Sequence, residues 1–439
     1  MGYSRNPQAF SVRPGWLQDI LDDSLNYAQS LQQTNLPSWS TENNVSYLVQ
    51  KGYWQINNKI GWAYDHKELK SDLNIEDAQN NWKMPEGFQN RLVWRKMDAY
   101  YLPSVQFAKN RSLVNLYIPL DYYNIQYHDA VNNMKDGLSH VYLKPSIRYL
   151  LNIAKEHEFS LGYYYGNTFS DMPQVYAAGI MQSYRSVQSY SQTPLNSGYQ
   201  NSYNMRFSYK KTLKMFFWNL TSSYEQYHRY FMYGSTVTNT SNQSVILPID
   251  NDMQTYSVSG DVSKYIFLLK TTISGRMGLS KSKMQQLQNG FLFGVDNWSN
   301  SYSIGLSPAP SDWLRIDLKA NYLTGTSSSR SNGFADQKTS QFKQASALDF
   351  LLFNGRVTTR LSSEYYASYL NSQRMAHCLF LDAYVNYRLY KPGIDFRLSC
   401  TNLADEHHFT VLSANSNIIS TNNYQLQPRM LLLSAYYRF

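Results

Sequence analysis

Strict alternation of apolar and polar side chains, sustained over segments of about nine to eleven residues, constrains this chain more than any other feature. Leu314, Ile316, Leu318, Ala320 and Tyr322 interleave with Arg315, Asp317, Lys319 and Asn321. Ile394, Phe396, Leu398 and Cys400 alternate with Asp395, Arg397, Ser399 and Thr401. Leu379, Leu381, Ala383, Val385, Tyr387 and Leu389 stand against Asp382, Tyr384, Asn386 and Arg388. Val141, Leu143, Ile147, Tyr149 and Leu151 repeat the pattern, and so do Tyr203, Met205, Phe207 and Tyr209. Successive strand side chains point to opposite faces, so each segment has one apolar and one polar face. A strand of a soluble sheet runs about five or six residues. These segments have nearly twice that length, which is what a strand tilted by about 45° needs to cross a bilayer.

The connections add a second regularity. Short turns are expected near Lys109–Arg111, Asn152–Lys155, Lys211–Leu213, Ser307–Asp312, Asn354–Gly355 and Tyr390–Gly393. Asn354-Gly355 is a type I′ hairpin signal, and Pro308, Pro310 and Pro392-Gly393 are turn formers. Long polar connections are expected at about 127–138, 167–201, 225–253, 281–297, 324–344, 367–375 and 403–428. Asp19–Leu31, with a weak helical spacing, reads as a loop. Short and long connections alternate, as in a large antiparallel transmembrane β-barrel with short periplasmic turns and long extracellular loops. The count is about 17 strands, with an eighteenth near Tyr3–Val12. In hydrocarbon every backbone group needs a partner within the protein, so a spanning sheet must close. All 439 residues read as one barrel domain.

Composition agrees and excludes other classes. Charged residues are only 16%, yet mean hydropathy is −0.50, so Ser, Asn, Gln and Thr supply the polarity. The 39 Tyr, 20 Phe and 9 Trp exclude a disordered chain. They suit the aromatic girdles of a membrane barrel. No apolar run of about 18 residues marks a spanning helix. The net charge of +9 comes from Lys and Arg spread singly, without the clusters of a nucleic-acid binder. Cys378 and Cys400 allow at most one disulfide and lack zinc or redox spacing. Met1–Pro7 contains no apolar stretch of a secretory signal, and the expectation is that the chain lacks its true beginning.

Counting back from the end by twos gives Phe439, Tyr437, Ala435, Leu433 and Leu431, an apolar row ending in an aromatic residue. This resembles the assembly signal of Gram-negative outer-membrane proteins, and the resemblance implies recognition by the barrel assembly machinery. Thr401-Asn402-Leu403-Ala404-Asp405, with Pro428-Arg429 entering the final strand, resembles the last hairpin of TonB-dependent outer-membrane receptors; Ala404 replaces the usual aromatic. Phe159–Tyr165, Pro173, Thr193-Pro194-Leu195 and Tyr203–Tyr209 resemble a strand–Pro–loop–strand pattern of the related barrels, without its Gly-Asn. The resemblance implies a barrel of about 22 strands, a signal peptide, a TonB box and a plug domain. The last three are absent from this sequence, so the chain reads as the barrel portion of a longer receptor, with a complete barrel of about 18 strands as the alternative. It further implies the Gram-negative outer membrane, nutrient uptake with ligand capture by external loops, contact with the TonB complex through the plug, and a surface lipoprotein as a possible partner.

No catalytic constellation or cofactor motif is present: there is no Gly-rich phosphate loop, no Gly-x-Ser-x-Gly and no His-Glu-x-x-His. The chain therefore reads as a non-enzyme that needs no cofactor. Asp405-Glu406-His407-His408 is the densest group of potential ligands, but four adjacent residues do not converge easily on one metal. The alternation places Lys144, Arg148, Arg206, Lys210, Arg315, Lys319, Arg356, Arg360, Arg388 and Arg397 toward the lumen. The acids on those faces are Asp317, Glu364, Asp382 and Asp395. Such a wall either pairs with acids or concentrates anionic solutes. The competing reading of the whole chain is a soluble or secreted all-β glycan-binding protein.

Overall fold

The computed structural model describes residues 2–4, 8–12, 27–77, 79–172, 175–183, 186–188, 195, 197–238, 241–329, 336–389, 391, 393–415 and 418–437. Its regular structure is almost wholly antiparallel strand. Among the described residues, a wall of 18 strands runs in chain order, each paired with the next. Gly2–Ser4 and Gln8–Val12 share one register on Tyr27–Asn35 and Ser38–Lys51. Then come Trp54–Asp77, Gln89–Lys109, Ser112–Tyr117 with Leu120–Asp129, and Met134–Leu143 with Ser146–Ala154. His157–Phe169, Ser197–Lys211, Phe216–Arg229, Asn251–Ile266, Thr271–Gln288 and Phe291–Pro308 follow. Leu314–Ser328, Gln337–Leu352, Val357–Leu370, Gln373–Leu389, Ile394–Thr401 and Met430–Tyr437 complete the wall. The strand expected near Tyr3–Val12 is therefore there. Among the described residues no ladder joins the first strand to the last.

Register turns the alternation into faces. Val385, Leu398 and Leu433 are direct partners on three neighbouring strands, and so are Arg388, Asp395 and Tyr436 on the other face. The apolar rows are not covered: Leu318, Leu398 and Leu433 are 39%, 44% and 70% exposed. A Leu left in water forgoes roughly 1.5–3 kcal/mol of burial. A band of them around a sheet is stable only against lipid. Aromatic pairs cluster on the same face at the short-turn end, with Trp54 on Phe107 at 4.6 Å, Phe207 on Trp218 at 5.0 Å and Trp313 on Phe350 at 6.3 Å. Farther along the strands Tyr163, Tyr203, Tyr224 and Tyr256 form a second row, with successive centroids 5.0, 6.1 and 4.5 Å apart.

A crease crosses the wall where prolines interrupt it. Pro37, Pro119 and Pro145 each stand in a break between two halves of a strand, and Pro103 lies within Gln89–Lys109. Proline has no N–H to give a ladder. Each carbonyl still accepts: Ile118 N–H donates to Pro103 (3.1 Å), Lys144 to Pro119 (3.0 Å), Tyr165 to Pro145 (3.0 Å) and Glu68 to Pro37 (2.9 Å).

Several expected connections are corrected. The segments 127–138, 281–297 and 367–375 are not long loops. Their strands continue and close through Ala130–Asn133, Asn289-Gly290 and Asn371-Ser372. Above the lipid the outward face turns polar while the ladder goes on, so composition reads as loop where the backbone is sheet. The same extension gives Trp54–Asp77 its 24 residues. Tyr27–Leu31 is strand rather than loop, and 19–26 lie outside the described residues. At the type I′ signal the positive-φ pair is Phe353 (52°) and Asn354 (55°), one residue earlier than expected, with Gly355 following at 82°. Pro173, Thr193, Pro194 and Phe439 fall outside the described residues.

Candidate functional site

Three of the long connections pack at the loop end of the wall, among them the hairpin of Met232–Val237 and Asn242–Leu247, whose Ile246 joins the buried cluster formed by the first. The first runs from Ser170 toward Ser197. Its Met172, Val175, Tyr176, Ile180 and Leu195 are buried against Leu69, Leu92, Trp94, Tyr123, Ile125 and Tyr127 of the wall. Polar side chains fix its path. The fully buried Asn90 donates from Nδ2 to the Ala178 carbonyl (3.1 Å) and accepts the Ala178 N–H at Oδ1 (3.0 Å). It thus imitates a strand backbone. Leu195 N–H donates to Asp136 Oδ2 (2.8 Å), and Met181 N–H to Gln32 Oε1 (3.3 Å). Lys67 pairs with Asp171 at 3.4 Å.

The second element is the hairpin of His408–Asn415 and Ile418–Gln425, whose strands ladder with each other and, among the described residues, with no wall strand. Phe409 meets the inward Tyr366 (5.3 Å) and Phe380 (5.5 Å), Leu412 is buried, and Gln341 Nε2 donates to the Leu412 carbonyl (3.3 Å). The Asn402–Asp405 turn is its hinge. Asn402 and Asp405 both adopt positive φ, 54° and 57°. Asn402 Nδ2 donates to the carbonyls of Glu406 and Gln427, both at 2.8 Å, while Oδ1 accepts the Glu406 N–H (2.9 Å). Asp405 Oδ1 accepts the Arg429 N–H (2.9 Å). That bond holds the Asp405 carboxyl below the ordinary carboxylate range against the opposing effect of burial, with the nearby His407 and Arg429 charges adding to it. Glu406 Oε1 accepts the Leu379 N–H (3.3 Å). Asp405-Glu406-His407-His408 thus spends its carboxylates on backbone donors, and among the described residues no group of three or more such side chains could hold a metal.

The expected basic wall is distributed as follows. Lys144 is half-buried at the crease, 3.0 Å from the buried Asp121 and 2.7 Å from the Tyr123 hydroxyl, with its ammonium 4.7 Å from the Tyr123 ring centre. Arg360 pairs with Asp349 (3.6 Å) and Arg388 with Asp395 (3.4 Å). Arg206 donates to Asn219 Oδ1 (3.3 Å), and Arg397 lies over the Tyr384 ring at 4.3 Å. Arg148, Arg315 and Lys319 share this face, and no carboxylate lies within ion-pair distance of them among the described residues. Lys210 stands at the short-turn end of its strand. Arg356 lies in the turn Phe353–Arg356, one residue before the strand begins at Val357. Of the expected acids, Glu364 pairs with Lys343 (2.7 Å), and Asp382 accepts the Asn402 N–H (2.9 Å). Sequence reasoning passed over Asn90, Asp121, Asp136 and Asp349. Asp121, two residues after Pro119, and Asp349, in an alternating run, carried a readable signal; Asn90 and Asp136 carried none, since their partners are distant in the chain.

No family model and no curated protein matches the sequence. The solved structures give a likeness. The ferric citrate transporter FecA, in its unliganded form, superposes with a TM-score of 0.56 at 10% identity, over 99% of this chain and 58% of the FecA chain. The fold is that of an outer-membrane β-barrel. Two further iron importers match at TM-scores too low to add to this. They are FrpB of Neisseria meningitidis (0.27, 8% identity, 99% of this chain and 81% of that one) and Fiu of E. coli K12 (0.26, 10% identity, 94% and 86%). At such identities the likeness is one of fold. The chain spans 58% of the length of FecA.

Proposed function

We propose that this chain forms the membrane wall and outer mouth of a nutrient importer of the Gram-negative outer membrane, of the TonB-dependent receptor kind. The observation that carries the reading is the exposed apolar face of a single long-stranded sheet, combined with its superposition on FecA. The inward-folded Ser170–Ser197 connection and the 408–425 hairpin narrow the mouth, and ligand is captured there. Arg148, Arg315 and Lys319, which have no ion pair among the described residues, favour anionic solutes, while the paired cations hold the wall together. Energy-coupled opening belongs to a plug in contact with the TonB complex. Leu433, Ala435, Tyr437 and Phe439 form the row read by the barrel assembly machinery.

The test begins with fractionation and a gel of boiled and unboiled detergent extract. A barrel stays with the membrane and changes mobility on boiling. Recovery in the aqueous fraction with one mobility would favour the soluble glycan-binding alternative and end this reading. The barrel is then placed in liposomes with and without residues 408–425. Faster swelling in an anionic solute after the deletion is the expected result, and equal swelling would refute the role of the hairpin.

A further inference from the structure

The net charge is not spread over the molecule. Eight short connections join the wall strands at one end, from Gly52-Tyr53 to Tyr390–Gly393. Counting these connections with one flanking residue on each side, they hold nine Lys or Arg against two acids, Glu156 and Asp312. That is +7 of the chain's +9, so the rest of the protein is close to neutral.

The density is greatest at two adjacent turns. Thr212–Met215 and Phe267–Lys270 are neighbours along the rim, since Tyr265 N–H donates to the Met215 carbonyl (3.1 Å). Lys210, Lys211, Lys214, Lys264 and Lys270 lie in or beside them, and the acid paired with this group is Glu156, 3.2 Å from Lys211. The turn tips are apolar: Leu213 is 94% exposed and Leu268 is 92% exposed. The cations sit among aromatics of the outward face. The Lys264 ammonium lies 5.9 Å from the Phe216 ring centre and donates to the Lys214 carbonyl (2.6 Å). Phe216 in turn packs on Tyr209 at 5.7 Å. On another part of the rim Lys109 lies 5.5 Å from the Tyr53 ring centre.

We infer that the short-turn end, centred on Lys214, Lys264 and Lys270, binds the anionic headgroups of phospholipids in the leaflet that surrounds it. The aromatic belt puts these ammonium groups at the depth where headgroup phosphates lie. A basic ring there attracts anionic lipid through a field that decays over about a Debye length. Leu213 and Leu268 then meet glycerol and upper acyl chain rather than water. An acidic protein docked from the aqueous side would leave unexplained why Lys109 and Lys264 lie against outward aromatics. The inference rests on the barrel fold and is independent of what the barrel transports.

The test uses the full chain in bilayers of equal phosphatidylglycerol and phosphatidylcholine, released into mild detergent for native mass spectrometry of retained lipid. The wild type should keep phosphatidylglycerol over phosphatidylcholine by roughly tenfold. The triple variant Lys214→Gln, Lys264→Gln, Lys270→Gln should fall toward parity, and the corresponding Lys→Arg variant should restore the preference. A boiled-against-unboiled gel on each sample reports whether the variant is folded. If the Gln variant does not fold, the wild-type preference and its decline with added salt decide the matter. No preference in the wild type, or an unchanged one in a folded Gln variant, overturns the inference. Binding of polyglutamate in place of lipid would do the same in favour of an acidic protein.

Discussion

Asn402 and Asp405 hold both ends of the last hairpin by side-chain bonds to backbone, so their removal has a local readout. Asp405 is ionised in the folded protein at a lower pH than in the unfolded chain. Its contribution is therefore present above the unfolded pKa and is lost as pH falls through the lower, folded value. Protease sensitivity of residues 408–425 should rise on acidification below the ordinary carboxylate range. Asp405→Asn should raise it already at neutral pH and flatten the pH dependence; an unchanged profile would count against the hinge. Lys144 presents the opposite situation, a half-buried ammonium paired with the buried Asp121 carboxylate. Removing one partner of such a pair costs about 3–5 kcal/mol, because the other charge stays behind. Lys144→Met should lower the urea midpoint of the folded gel band by a corresponding amount. Combining it with Asp121→Asn should recover part of the loss.

At the level of strands, the two faces differ in what a charge costs. Leu318 lies outward and Asn321 inward on the same strand. Leu318→Arg, like Leu398→Arg or Leu433→Arg, should cost roughly 2–4 kcal/mol near the midplane, while Asn321→Arg or Ser399→Arg should be mild. Folding yield into vesicles measures both, and equal tolerance would contradict a lipid-facing surface. The inner loop has its own weak point in Asn90. Asn90→Ala leaves the buried N–H and C=O of Ala178 unpaired, a loss of about 1–3 kcal/mol. Hydrogen exchange at Ala178 and Gly179 should accelerate while the exchange of the wall ladders stays the same.

Across the whole molecule, local contacts are few and the wall is held by strand-to-strand ladders. The longest-range features are the inward loops and the charge at one end. Deleting 408–425 should leave the heat-dependent gel shift intact, since Ile394–Thr401 pairs directly with Met430–Tyr437 without it. Loss of the shift would show that the hairpin holds the wall as well as filling the mouth.

Strand number, strand direction and the identity of each face were legible in the amino-acid order, because a two-residue period maps directly onto the two sides of a pleated sheet. The rows through Leu318, Leu398 and Leu433 lie where the alternation puts them, and the Asn402–Asp405 turn was marked by its own residues. Strand ends were misread at 281–297 and 367–375 because polar composition does not distinguish a loop in water from a ladder in water. The path of the Ser170–Ser197 connection and the partners of Asn90, Asp136 and Lys144 came only with the fold. Those contacts join residues tens of positions apart, and their energies depend on burial that exists only once the wall has brought them together.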